Sequence, residues 1–185
     1  VGVEISTERL ILRDFGDSSR WLESVCRFTS DPIVAKYSTW GPLSLEDTRT
    51  WLEEAIAFER TIPRTGYELG IFDRSTDELI GQISLHIRKP AQKEAEIGYT
   101  IRPDRQGQGF GSEAGKGILD FAFSDLSCHR VFASTAPANL ASQAVLRKLG
   151  MTFEGTLRKN VMMRGQWRDT MIFSILEEEY FRASS

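Results

Sequence analysis

Thirteen residues in the middle of the chain, RQGQGFGSEAGKG from Arg105 to Gly117, hold five glycines and run directly into ILDFAF, whose pattern is helical. Glycines this dense at the mouth of a helix let consecutive backbone amides close on a phosphate at the helix's positive end. Three phosphate loops compete for the stretch. A nucleotide P-loop needs Gly, four residues, then Gly-Lys-Ser/Thr, but Phe110 stands where the first glycine belongs and Gly117 where the magnesium-binding hydroxyl belongs. Gly109, Gly111 and Ala114 satisfy the dinucleotide pattern G-x-G-x-x-A. That loop, however, opens a parallel βαβ unit and is followed about 20 residues later by an acid at a strand end. Here RVFASTA carries no acid, and an antiparallel meander precedes the loop. The third pattern, Gln/Arg-x-x-Gly-x-Gly/Ala, fits at Gln106, Gly109 and Gly111. It holds a diphosphate without a metal, because nothing is cut at the phosphates. Gly115 and Gly117 fall inside the helix and read as close-packing positions.

Periodicity places this loop within an alternating chain. TERLILRDF (residues 7–15) is strand-like, SSRWLESVCRFTS has helical spacing, and Ser44 with Asp47 three residues later caps a second helix through Trp51, Leu52, Ala55 and Ile56. YELGIFD, ELIGQISLHI and EAEIGYTI, joined by short polar connectors, form an antiparallel meander. After the glycine loop and its helix to about Ser124 come the strand RVFASTA, the helix NLASQAVLRKLG capped by Asn139, and a final hairpin turning around RGQW. The order β α α β β β α β α β β predicts an α+β, or mixed α/β, fold with a mostly antiparallel sheet. One domain over residues 1–185 is expected.

The bulk properties narrow the function classes. A formal charge of −3 leaves no basic stripe for nucleic acid. No apolar run reaches about 18 residues and no signal-peptide pattern is present, so a cytoplasmic protein without membrane contact is expected. Cys26 and Cys128 are far apart and in no metal-ligand spacing, and reduced structural cysteines are the expectation. His86 and His129 look structural, and no metal site is predicted. Trp21, Trp40, Trp51, Phe58 and Trp167 are core residues or groove walls.

The Gln106–Gly109–Gly111 loop resembles the acetyl-CoA pyrophosphate loop of the GNAT N-acetyltransferase superfamily. TERLILRDF, AEIGYTI, NLASQAVLRKLGMTFEGTLR and RDTMIFSIL resemble, in the right order, segments of its RimJ/RimL-like branch, which acetylates ribosomal-protein N-termini and other amines. The resemblance implies a central sheet of about seven strands, splayed between the fourth and fifth, with about four flanking helices. It implies that the backbone of Tyr99 to Ile101 holds the pantetheine and thioester of acetyl-CoA. Gln106, Gly107, Gln108, Gly109, Phe110, Gly111 and Ser112 would hold the pyrophosphate. Asn139 would touch the pantetheine, a role compatible with capping its helix. Glu96 is the implied general base, directly or through water, with a solvated strand carboxylate as the alternative. Ser142 shares a helical face with Asn139 and would donate to the departing sulfur. The tyrosine that many acetyltransferases use as acid is Leu146 here. Trp40 lies in the loop that lines the acceptor site in this fold. The resemblance also allows a homodimer.

The reaction so implied is direct transfer of acetyl to a primary amine. At pH 7 supplying the neutral form costs about 1.4 kcal/mol for an α-amine of pKa near 8 and over about 4 for a lysine. An uncertain base and a missing tyrosine therefore suit a protein or peptide N-terminus. A polyamine, amino acid or antibiotic acceptor, and a non-catalytic acyl-CoA-binding module, are the competing expectations.

Overall fold

The computed structural model describes residues 2–183. Its strands are β1 (Glu4–Ser6), β2 (Leu10–Asp14), β3 (Gly66–Asp73), β4 (Leu79–Lys89), β5 (Glu94–Ile101), β6 (Arg130–Thr135), β7 (Thr152–Met163) and β8 (Gln166–Leu176). Helices α1 (Ser18–Thr29), α2 (Pro32–Ala35), α3 (Leu45–Glu59), α4 (Phe110–Ser124), α5 (Leu140–Lys148) and α6 (Glu177–Ala183) complete the fold. One sheet runs β1-β2-β3-β4-β5-β6-β8-β7, antiparallel throughout except between β5 and β6. The predicted splay between the fourth and fifth strands therefore falls between β5 and β6, because the sheet has one strand more at its start.

That extra strand corrects the expectation of one strand over residues 7–15. Thr7–Arg9 is instead the turn of a β1–β2 hairpin, with the Thr7 amide donating to the Leu10 carbonyl at 2.9 Å. The turn is fastened by Glu113 of α4, which accepts from the Thr7 hydroxyl (2.6 Å), the Arg9 amide (2.7 Å) and the Arg9 Nε (2.7 Å). The final strand stops at Leu176, and the three glutamates after it open α6, where acidic side chains favour the helix N-terminus.

Local signals explain most element ends. Ser44 and Asp47 form a reciprocal capping box on α3, with the Ser44 Oγ accepting from the Asp47 amide at 3.1 Å. Asp17 and Asp31 cap α1 and α2 more simply, each side chain accepting from the amide two residues on, of Ser19 and Ile33. Two apolar layers then pack against opposite faces of the sheet. On one, α4 lays Ala114, Ile118, Leu119 and Ala122 over β2 to β6. On the other, α1 and α3 bury Phe28, Val25 and Leu52 against Phe15, Phe72 and Leu79. This second layer covers only part of its face. Beyond Phe72 the same face turns polar, presenting Glu68, Gln82, Ser84 and His86, and there the functional cleft opens.

The glycines inside α4 are packing positions, as their placement in the sequence predicts. A Cβ on Gly115 would sit 2.6 Å from Leu149 of the α5 end, and one on Gly117 would sit 3.0 Å from Thr7. The tightest strand position is Gly81, where a Cβ would lie 2.3 Å from the Thr100 carbonyl oxygen. Gly81→Ala is expected to cost about 1–3 kcal/mol by overpacking, whereas Gly41→Ala, in open space, stays near neutral. Paired thermal melts of the two variants check this.

Candidate active site

β5 and β6 run parallel and pair only at Glu94–Glu96 against Arg130–Phe132. β5 then continues to Ile101 and β6 to Thr135 without a ladder between them. Beyond Glu96 the β6-facing edge of β5 has no partner strand, so its backbone groups, apart from the Ile101 carbonyl held by Gln106, are left available to something other than the sheet. The gap is the mouth of a cleft of about 800 Å³, walled by residues 97–101, the glycine loop, the start of α5 and residues 36–40.

The glycine loop forms the donor end. Gly107 (φ +74°) and Gly109 (φ +84°) adopt left-handed conformations that a side chain disfavours. Gly109 is the N-cap of α4 and supplies no side-chain acceptor, and the first intrahelical bond runs from the Glu113 amide to its carbonyl (3.0 Å). The amides of Phe110, Gly111 and Ser112 therefore lie at the positive end of the helix with no intrahelical acceptor, as a diphosphate requires. Gly111 is needed for a different reason: a Cβ there would meet the Tyr99 ring at 3.0 Å. Gln106 turns its amide onto the Ile101 carbonyl (2.9 Å), tying the loop to the end of β5. Gln108 turns its side chain to the Asp104 carbonyl (3.1 Å), while its own carbonyl accepts from Arg9 Nη1 (3.1 Å). Phe110 is buried, its ring 4.5 Å beneath the Arg9 guanidinium. The loop is thus braced from the β1–β2 turn through Arg9 and Glu113.

At the start of α5, the Asn139 Oδ1 accepts from the Ser142 amide (3.1 Å), so Asn139 caps the helix and also lines the cleft. Tyr99 packs between Gly111 and Ser142. Burial pushes its phenol above the usual range, while the Ser142 side chain pulls the other way. Leu146 is buried in the core, in line with the absence of a tyrosine acid there.

Glu96 is the last β5 residue still paired with β6, and the cleft wall in β5 begins one residue later, at Ile97. Its carboxylate accepts from Arg88 Nε (2.7 Å) and from the Ser134 hydroxyl (3.3 Å), and Ser134 itself lines the cleft. Glu94, two residues earlier, pairs with Lys89 and Arg130 at the closed end. Trp40 is half-buried and on the cleft wall, with Tyr37, Ser38 and Thr39 beside it. Trp167 stands 57% exposed on β8.

Sequence reasoning passed over one cluster. Glu68 of β3 is buried, and it accepts from Gln82 Nε2 (2.7 Å) and pairs with His86 Nε2 (2.7 Å), both from β4. His86 also lies directly opposite Glu96 in the β4–β5 register. The signal was Gln-x-Ser-x-His in GQISLH: three polar residues at period two on a central strand demand a polar face or a site.

The comparisons agree with this geometry. Residues 9–152 match the acetyltransferase (GNAT) domain model. The uncharacterized N-acetyltransferase YnaD of Bacillus subtilis is 31% identical over 178 residues, covering 96% of this chain and 99% of its own. The crystal structure of a GNAT-family acetyltransferase from Bacillus anthracis superposes with a TM-score of 0.84 at 30% identity, covering 95% of this chain and 99% of that one. Two further relatives have names that specify an acceptor. YdaF of Bacillus subtilis, provisionally named a ribosomal N-acetyltransferase, is 34% identical over 116 residues, 62% of each chain. The spermidine N(1)-acetyltransferase of Escherichia coli is 26% identical over 141 residues, 71% of this chain and 75% of its own. The chain belongs to the GNAT acetyltransferase family. It is an acyl-CoA-dependent N-acetyltransferase.

The brace on the loop is pH-sensitive. Burial alone would raise the Glu113 carboxyl, but hydrogen bonds from Thr7 and Arg9 outweigh it and hold the group below the usual carboxylate range. A lowered carboxyl contributes stability above the ordinary value and loses it as pH falls through the folded one. Melts of Glu113→Gln should therefore show lower stability than the parent at neutral pH, with the difference shrinking as pH falls below about 4.

Proposed function

We propose that the chain transfers the acetyl group of acetyl-CoA directly to a primary amine, and that this amine is the α-amine of a protein or peptide N-terminus. One observation carries the reading: a single cleft joins the parted edge of β5 and the glycine loop to the wall at Lys36–Trp40. The edge of Tyr99–Ile101 that faces away from β4 would hold the pantetheine arm as an added strand. The amides from Gly107 to Ser112 would hold the pyrophosphate, with Gln106 and Gln108 acting through the loop conformation they fix. Asn139 would meet the pantetheine while capping α5. We read residues 1–185 as one domain, since β4, β5 and β6 of the single sheet wall the cleft together with the glycine loop, the start of α5 and residues 36–40.

On the acceptor side Glu96 would receive the amine proton. Its oxygens are engaged by Arg88 and Ser134, so a water at Ser134, on the cleft wall, is the natural carrier. Ser142 would donate to the sulfur as it leaves. The Tyr99 phenol beside it stays protonated at neutral pH, because burial moves it up. A thiolate with a pKa near 8.5 needs little more help than that. Positioning then supplies much of the rate.

The spermidine relative favours a second reading, a small polyamine acceptor. Release of free thiol from acetyl-CoA, measured across a panel, separates the two. Peptides with a free N-terminus should be turned over at least about tenfold faster than Nα-blocked lysine peptides, as the cost of neutralising each amine requires. Turnover of spermidine with none of any peptide would move the assignment to small molecules, and no release with any amine would leave an acyl-CoA-binding module. For the base, Glu96→Gln should lower turnover most at low pH; turnover equal to the parent at every pH removes Glu96 from that role. Ser142→Ala is expected to reduce kcat with little change in the acetyl-CoA KM.

A further inference from the structure

The tip of the β7–β8 hairpin breaks a local rule. Met163 and Gln166 are opposed in the ladder, so Arg164 and Gly165 form a two-residue turn, and both have positive φ, +50° and +75°. This is the conformation that Asn-Gly or Gly-Gly adopts readily and that arginine does not. The strained residue is also the one that reaches farthest. Its guanidinium donates through Nη2 to the Ala35 carbonyl (2.6 Å) and through Nη1 to the Lys36 carbonyl (3.4 Å), at the C-terminal end of α2.

Neither partner in this contact is well supported otherwise. β6 pairs with β8 only from Met171 onward, so the hairpin beyond that point is a two-stranded ribbon. Its β7 strand has a register break between Leu157 and Val161, and such ribbons are marginal alone. On the other side, α2 is a single turn held at its base by the Asp31 cap and by the Leu43 amide on the Thr29 carbonyl (3.0 Å). The segment that follows it, Lys36–Trp40, is a wall of the cleft.

We infer that Arg164 is a positioning residue, a latch that joins the hairpin tip to the end of α2 and so holds the Lys36–Trp40 wall against the acceptor. The inference rests on the reading of that wall as the acceptor side. The guanidinium caps the Lys36 carbonyl and adds a second, shorter bond to the Ala35 carbonyl, which otherwise accepts only from the Ser38 amide (3.2 Å), and these two bonds are the compensation for arginine at a left-handed position. The donor loop, residues 106–112, has no contact with the latch in this arrangement, so donor and acceptor affinities should respond differently.

Arg164→Asn separates the roles, because asparagine suits the turn and cannot reach the carbonyls. Its melting temperature should equal or exceed the parent's, while amide hydrogen exchange at Tyr37–Trp40 accelerates. The acceptor KM should rise about tenfold and the acetyl-CoA KM stay put. Arg164→Lys, with one ammonium for two carbonyls, should fall between. Unchanged exchange at Tyr37–Trp40 overturns the latch, and faster exchange with an unchanged acceptor KM overturns its positioning role. A parent enzyme that acetylates no amine at all defeats the acceptor reading instead, and the exchange result then decides the latch by itself.

Discussion

A parallel ladder only three residues long governs the donor side of this protein. Glu94–Glu96 and Arg130–Phe132 pair, and then the strands separate. The closed end is pinned by charge: Arg130 bonds Glu94 (2.6 Å) and also Glu154 of β7, which accepts in turn from Ser174 of β8 (2.6 Å). At the open end the Tyr99 ring lies against Gly111 of α4 and interacts with the Ser142 side chain of α5. Parallel strands require a crossover, and α4 supplies it, beginning where β5 ends. The positive end of a helix is therefore delivered to the place where strand amides are left unpaired. Ligands of open sheets gather at such carboxyl-terminal switch points for the same reason.

Three glycines of one loop serve two distinct physical needs. Gly107 and Gly109 are there for φ, since the loop must turn through left-handed conformations to bring its amides inward. Gly111 is there for distance, since the Tyr99 ring stands where its side chain would be. The ring thus disfavours a side chain at the first turn of the helix, because any side chain at Gly111 would have to displace it.

How legible this was depended on how far apart in sequence the partners lie. The α3 capping box, the Asn139 cap and the glycine loop are written within a few residues of themselves, and they stand in the structure where the sequence puts them. The turn at Thr7–Arg9 could not be read, because the group that fastens it, Glu113, is more than a hundred residues away. The strand at Ile172–Leu176 runs unbroken into glutamates, and only the Leu176 amide on Glu179 (2.9 Å) marks the change to helix. His86 looked structural because its partner Glu68 lies 18 residues back, at a spacing that carries no signal until β3 and β4 pair. Arg164 was visible only as part of RGQW, with nothing to indicate that it faces α2.

The polar face of the sheet bears on which form of the amine enters. Two carboxylates stand there, Glu68 and Glu96, and each is already matched: Glu68 by His86 and Gln82, Glu96 by Arg88 and Ser134. Glu96 is ion-paired with a guanidinium, whereas Glu68 is held by hydrogen bonds from an amide and an imidazole, and an incoming ammonium would have to give up water to compete with those partners. A neutral amine loses less water and can donate to the hydroxyl oxygens of Ser84 and Ser134 on the wall, whose own protons go to the Gly98 carbonyl and to Glu96. The proposed acceptor fits such a surface, because the neutral form of an α-amine is cheap at pH 7 and that of a lysine is not. A polyamine site would be expected to leave at least one carboxylate uncompensated and facing the cleft. Here the carboxylates are braced from behind, and this arrangement supports a peptide N-terminus as the acceptor.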